Sequence, residues 1–232
     1  MITFIKIDIL DIYLTNILNM FSKMIRPQRF FNRFANVRYF SNRIVFVDVE
    51  TTGLNHYKDK IVEISAREYI NGKQGAVWHT YLNPKRKMSC EAQQCNQIPI
   101  NVLKRSVEFK DIAKKFKEFI GDDELFAHNM CFDAHFLNSE LKKQGIKPLQ
   151  NEKFCTLKLA RKLFPKQKNS LDALCDRFNI DRSSREKGHG ANIDTELLKQ
   201  VYEKLLIEAK TKENYDEIIK YARYCIPNTK WA

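Results

Sequence analysis

The chain has 232 residues, 44% of them hydrophobic, and carries 40 Lys and Arg against 28 Asp and Glu, for a formal charge of +12. That is enough apolar material for one α/β domain with a full core plus tails, and the basic balance favours a polyanionic partner such as nucleic acid. No apolar run reaches the ~18 residues that span a bilayer, and six cysteines without a C-x-x-C pair or a zinc-spaced His argue against a zinc site and read as reduced thiols of an intracellular protein.

Residues 1–42 differ in character from the rest of the chain. No acid occurs between Ile12 and Val47, while Arg26, Arg29 and Arg33 recur at helical spacing beside Phe30 and Phe34. An Arg-rich amphipathic segment of this kind matches a mitochondrial transit peptide at residues 20–41, and Arg38-Tyr39-Phe40-Ser41 resembles a matrix-protease cleavage site. The alternatives are a basic arm on a cytoplasmic bacterial protein or upstream translation. Residues 43–210 are expected to form the folded domain and 211–232 a polar, partly helical tail.

The domain opens on a strand, Arg43 to Val49, whose β-branched and aromatic residues suit burial on both faces. Two more strands, Lys60–Ile70 and Ala76–Leu82, flank the turn Asn71-Gly72-Lys73-Gln74-Gly75, so the three form an antiparallel meander. An amphipathic helix is expected over Phe109–Ile120, a short buried strand over Leu125–Ala127, and a helix capped by Asn129 and running to Gln144. Leu157–Phe164 and Ser170–Phe178 read as short helices, and a Gly-flanked loop at His189 leads into a long helix over Asn192–Ala209.

Asp48 and Glu50 stand two apart on the first strand and therefore point the same way. At an effective dielectric of about 20, two like charges ~4 Å apart repel by roughly 4 kcal/mol, so a cation between them is the natural compensation. Asp133, in the first turn of one helix, and Asp194, in the first turn of the last, add two acids, and His189 lies five residues before Asp194. The remaining histidines, 56, 79, 128 and 135, are given no role in the site.

Taken together, D-x-E at a strand end, H-N-x-x-x-D at a strand-to-helix junction and H-x-x-x-x-D at a helix start resemble the DEDDh group of 3′-to-5′ exonucleases. Within it the chain looks most like the DnaQ-like family, typified by the epsilon proofreading subunit of bacterial DNA polymerase III. The likeness runs from about Arg43 to Tyr202 and includes Asp48-Val49-Glu50-Thr51-Thr52-Gly53-Leu54, Ala127-His128-Asn129-Met130-Cys131-Phe132-Asp133, Leu159–Pro165, Asn169–Cys175 and His189-Gly190-Ala191. Gly190 occupies the position at which a related group carries Tyr.

The resemblance implies an RNase H-like fold, a mixed sheet of about five strands flanked by helices. It implies that Asp48, Glu50, Asp133 and Asp194 hold two Mg²⁺ or Mn²⁺ ions about 3.5–4 Å apart, with His189 as general base. It further implies that Thr51, Gly53, Leu54, Asn129 and Phe132 meet the terminal nucleotide of a single-stranded or frayed 3′ end. The task would be DNA proofreading or repair, with a DNA polymerase as a possible partner. The alternatives are an RNA trimmer of RNase T or oligoribonuclease type and a non-catalytic polymerase-binding subunit. Two features depart from the family. Cys90–Arg105 lacks the usual His-Gly-Ile pattern, and no clamp-binding Gln-x-x-Leu-x-x-Phe motif occurs beyond Tyr202.

Overall fold

The computed structural model describes residues 43–185 and 190–223. The expected transit segment, His189 and residues 224–232 lie outside the described residues. Arg43–Thr51 forms β1, followed by Ile61–Ile70 (β2) and Lys73–Tyr81 (β3), which pair as the expected meander. The β2–β3 connection is tighter than the five-residue turn expected. Only Asn71 and Gly72 separate the strands, with φ of 52° and 76°. Two residues at positive φ give the hairpin turn whose twist matches its strands, and Asn-Gly adopts it at least cost.

Two short helices, Cys90–Asn96 (α1) and Ile100–Arg105 (α2), precede Phe109–Ile120 (α3), which has the expected bounds. Then come Glu124–Ala127 (β4), Met130–Lys143 (α4) and Lys153–Cys155 (β5). β4 lies parallel to β1 and β5 parallel to β4, completing a mixed five-stranded sheet of order β3-β2-β1-β4-β5. Thr156–Leu163 (α5), Leu171–Arg177 (α6), Ala191–Lys210 (α7) and Tyr215–Arg223 (α8) complete the order. Asn129 does sit at the start of α4, but in the left-handed region (φ 83°) and without the side-chain cap expected of it. The cap at α6 is present, with Ser170 accepting from the Ala173 amide.

Alternation along β1 divides the core. Val45, Val47 and Val49 pack with α3 and α4 on one face, while Phe46 packs with α5, α6, α7 and α8 on the other. Phe46 meets Phe126 and Tyr202 with ring centroids 5.2 and 5.7 Å away. Asp48 and Glu50 continue the Phe46 side of the strand, so the acids emerge where that second core ends. Part of the tail is built into this core: Ile218, Ile219 and Ala222 of α8 are buried, and Arg223 Nε lies 2.9 Å from Glu124 Oε1. No helix among the described residues is long and apolar enough to cross a membrane.

Candidate active site

β1 delivers Asp48 and Glu50 at its C-terminal end, where a bulge in β2 breaks the register between Glu50 and Thr51. A bulge re-aims side chains and ends pairing. α7 brings Asp194 in its first turn, anchored nearby by a 2.9 Å hydrogen bond between Ser65 and Thr195. Asp48, Glu50 and Asp194 each place a carboxylate oxygen within 4.8 Å of the others. Asp133 reaches the same strand end from α4 on the opposite face, where its Oδ1 accepts from the Val49 amide at 3.1 Å.

Burial is the main cause of the shifted acidities here. It pushes Glu50 up to about 8, with Asp194, Glu63 and Asp133 adding to the rise. It likewise raises Asp133 to about 8 against the opposing pull of its backbone hydrogen bonds, and lifts Asp48 well above the carboxylate range, helped by Asp133 and Asp194. Carboxyls in such surroundings hold protons at neutral pH unless a cation replaces them. The donor set is all carboxylate oxygen, which suits a divalent cation.

Several neighbours were not picked out by the sequence reading. Arg185, buried on a short 3₁₀ turn (Ser183–Arg185), lies 2.8 Å from Asp194 through both Nε and Nη2, and also bonds Asp172 at the start of α6. Glu63, buried opposite Glu50 across β1 and β2, has Oε1 2.7 Å from His79 Nε2, while its Oε2 has no hydrogen-bond partner among the described residues. The signal for Glu63 was an acid flanked by Val62 and Ile64 in a strand. For Arg185 it was weaker, an Arg in a polar loop between two motifs.

His128, given no site role in the sequence, lines the cleft beside Asp48 and Asp194. Its Nδ1 lies 2.9 Å from Thr156 Oγ1 and its Nε2 2.9 Å from the Asn169 carbonyl, and burial lowers its pKa to about 4. The imidazole is thus neutral, and the carbonyl fixes Nε2 as the protonated nitrogen. Beside it a cleft of about 460 Å³ opens onto Asp48, Asp194, Arg161, Ser170 and Arg185. The expected nucleotide contacts are dispersed in character. Leu54 is 86% exposed and Asn129 is exposed, Phe132 is half-buried against Phe136, and Thr51 is buried with its hydroxyl donating to the Gly53 carbonyl at 2.6 Å. A Cβ at Gly53 would fall 2.6 Å from an Asp59 carboxylate oxygen, so that position excludes a side chain unless Asp59 moves.

The model of the exonuclease family (RNase_T) matches residues 45–202. The chain belongs to the exonuclease family. Among relatives of this exonuclease, the DNA polymerase III subunit epsilon of Buchnera aphidicola (subsp. Schizaphis graminum) is 41% identical over 172 residues, covering 70% of this chain and 73% of that one. The subunit epsilon of Rickettsia conorii is 44% identical, with coverage of 72% and 74%. Among solved structures, exonuclease X in complex with 5′-overhanging duplex DNA superposes with a TM-score of 0.58 at 22% identity, over 78% of this chain and 97% of that one. Exonuclease I does so at 0.64 and 15%, over 77% of this exonuclease but 42% of its own length. These structures support the RNase H-like fold expected from the sequence. The family match accounts for the order of the acidic motifs along the chain.

Proposed function

We propose that the protein is a metal-dependent 3′-to-5′ exonuclease of epsilon type, removing nucleotides from single-stranded or frayed 3′ ends of DNA. The observation that carries this reading is the convergence of Asp48, Glu50 and Asp194 at the end of β1, within one carboxylate cluster of an exonuclease domain. In this reading Asp48, Glu50, Asp133 and Asp194 hold two Mg²⁺ or Mn²⁺ ions. When bound, such ions polarise the phosphodiester and neutralise charge developing on its oxygens. Arg185 orients the Asp194 carboxylate, and the Val49 amide fixes the Asp133 carboxylate. His189 accepts the proton of the attacking water, a role suited to a near-neutral imidazole held between two glycines. Thr51, Gly53, Leu54, Asn129 and Phe132 receive the terminal nucleotide, with the exposed Leu54 as its apolar wedge.

Names of relatives extend the proposal to context. The Buchnera and Rickettsia proteins are DNA polymerase III subunits, which supports a polymerase as partner and the bacterial cytoplasm as setting. A mitochondrial address has no support beyond residues 20–41 themselves. The two structural neighbours named above are exonucleases, one of them bound to DNA, which favours DNA over an RNA trimmer.

The test is an assay of the full chain on 5′-labelled single-stranded DNA, a mismatched primer–template and RNA of equal sequence, with Mg²⁺ or Mn²⁺. The DNA is expected to shorten from its 3′ end faster than the RNA, and mismatched termini faster than matched ones. EDTA and Asp48→Ala abolish cleavage, and His189→Ala slows it by something like 10²–10⁴-fold. Cleavage that survives EDTA, or an Asp48→Ala variant near the wild-type rate, refutes the metal assignment.

A further inference from the structure

Beyond the acid cluster, the described surface carries a basic ridge, Lys85-Arg86-Lys87, between β3 and α1. All three residues are exposed, as is Lys58 on the loop after the first motif. We propose that Lys58, Lys85 and Lys87 form a track for the sugar–phosphate backbone of single-stranded DNA upstream of the 3′ end under hydrolysis. The proposal rests on the exonuclease reading for the identity of the strand.

Placement is the first argument. Arg86 is bonded to the Lys58 carbonyl and lies 3.3 Å from Asp59 Oδ1. Just past the ridge, the Ser89 amide donates to the Thr52 carbonyl at 2.9 Å, and the Thr52 amide donates to the Lys60 carbonyl at 2.8 Å. Thr52 is only two residues from Glu50, roughly 7 Å along an extended chain. The ridge is therefore tied to the loop that leaves the carboxylate-bearing strand.

Charge is the second. Arg86 is committed to its structural bonds, and Lys60 and Lys110 are matched by Glu140 and Glu108. Lys58 and Lys87 pair with no acid among the described residues, and Lys85 meets Glu108 only at 3.9 Å with most of its side chain in solvent. Among the cations lining this cleft, Lys58 and Lys87 are therefore left uncompensated and Lys85 is only weakly matched. Shape is the third: Lys58, Lys85 and Lys87 line one cleft of about 490 Å³, and Tyr57, next to Lys58 in the chain, exposes 77% of its surface. Cations along a groove with an exposed ring for base stacking make up a single-strand binding surface.

The test compares the full-length protein with its Lys58→Ala/Lys85→Ala/Lys87→Ala variant. Affinity for a labelled DNA strand of roughly 15 nucleotides is followed by fluorescence anisotropy in EDTA, between about 50 and 200 mM salt. Three lost phosphate contacts at ~0.7 each should make the log–log salt dependence shallower by about 2. KM for the same strand should rise on the order of tenfold at the lower salt, with kcat unchanged. Hydrolysis of the p-nitrophenyl ester of thymidine 5′-monophosphate, which has no upstream phosphate, should be the same in both proteins. Unchanged strand affinity and salt slope would overturn the track and leave the ridge for an acidic protein surface. Ester hydrolysis absent from both proteins would count against the exonuclease reading instead, while the anisotropy still decides the ridge.

Discussion

Arg185 shows how one side chain organises the proposed metal site without being a ligand. Its guanidinium is buried between Asp172 and Asp194, two acids from different helices that would otherwise face each other across a polar gap. The Asn169–Cys175 string gains a physical meaning from this contact. Asn169 holds the preceding loop through the Phe164 and Gln167 carbonyls, Ser170 caps α6, and Asp172 then holds the arginine that holds Asp194. Replacing Arg185 by Lys keeps the charge and removes the planar fork, so it separates orientation from electrostatics. Outer partners of metal ligands are typically worth 10–100-fold in affinity, and Arg185→Lys is expected to weaken Mn²⁺ binding by about that factor, read by titration followed by electron paramagnetic resonance. Unaltered Mn²⁺ affinity would show that Asp194 needs no such support.

At the scale of elements, α1 supports the first motif by the 3.1 Å hydrogen bond from Asn96 Nδ2 to the Thr51 carbonyl. It then ends on Gln97, exposed and held at φ 52° with its amide bonded to the Gln93 carbonyl. A left-handed cap favours Gly, and a residue with a Cβ pays about 1–2 kcal/mol to adopt it. Gln97→Gly should raise stability by up to about 1 kcal/mol once the looser unfolded chain is counted, a rise of roughly 2–4 °C in Tm for a chain of this size. A Tm that stays or falls would mean the Gln97 side chain makes a compensating contact. The elements legible in the sequence were those long enough to show a period: β1 and β2, α3 with its inward Phe116 and Ile120, and the 20-residue α7. β5, at three residues, and α1 and α2, at seven and six, show no such period, whereas the comparably short β4 and α6 were marked by the apolar run Leu125–Ala127 and by Ser170 ahead of an apolar face. The acids of the site were legible because carboxylates are conspicuous in apolar strands and first helical turns. Arg185 and Glu63 were not, because their importance lies in partners that other elements bring to them.

For the whole molecule, folding itself gathers the acids: two from the central strand, one from each helical layer, and Glu63 from β2. In the unfolded chain these carboxyls ionise in their ordinary range near 4. In the fold Glu50 and Asp133 are raised to about 8 and Asp48 is raised as well, chiefly by burial. The metal-free native state therefore binds more protons than the unfolded state across that interval. Its stability must fall as pH rises from the unfolded range through about 8, the reverse of the usual salt-bridged carboxylate. A divalent cation binds the ionised native form and opposes this loss by mass action. Melting followed in EDTA should show Tm declining by several degrees between about pH 5 and pH 9. Millimolar Mg²⁺ or Mn²⁺ should remove most of the decline, and Asp48→Asn, which deletes a charge from the cluster, should flatten the profile in EDTA while abolishing turnover. A profile in EDTA that is already flat, or one that metal does not alter, would mean that the cluster is relieved in solution by something other than protons or a cation.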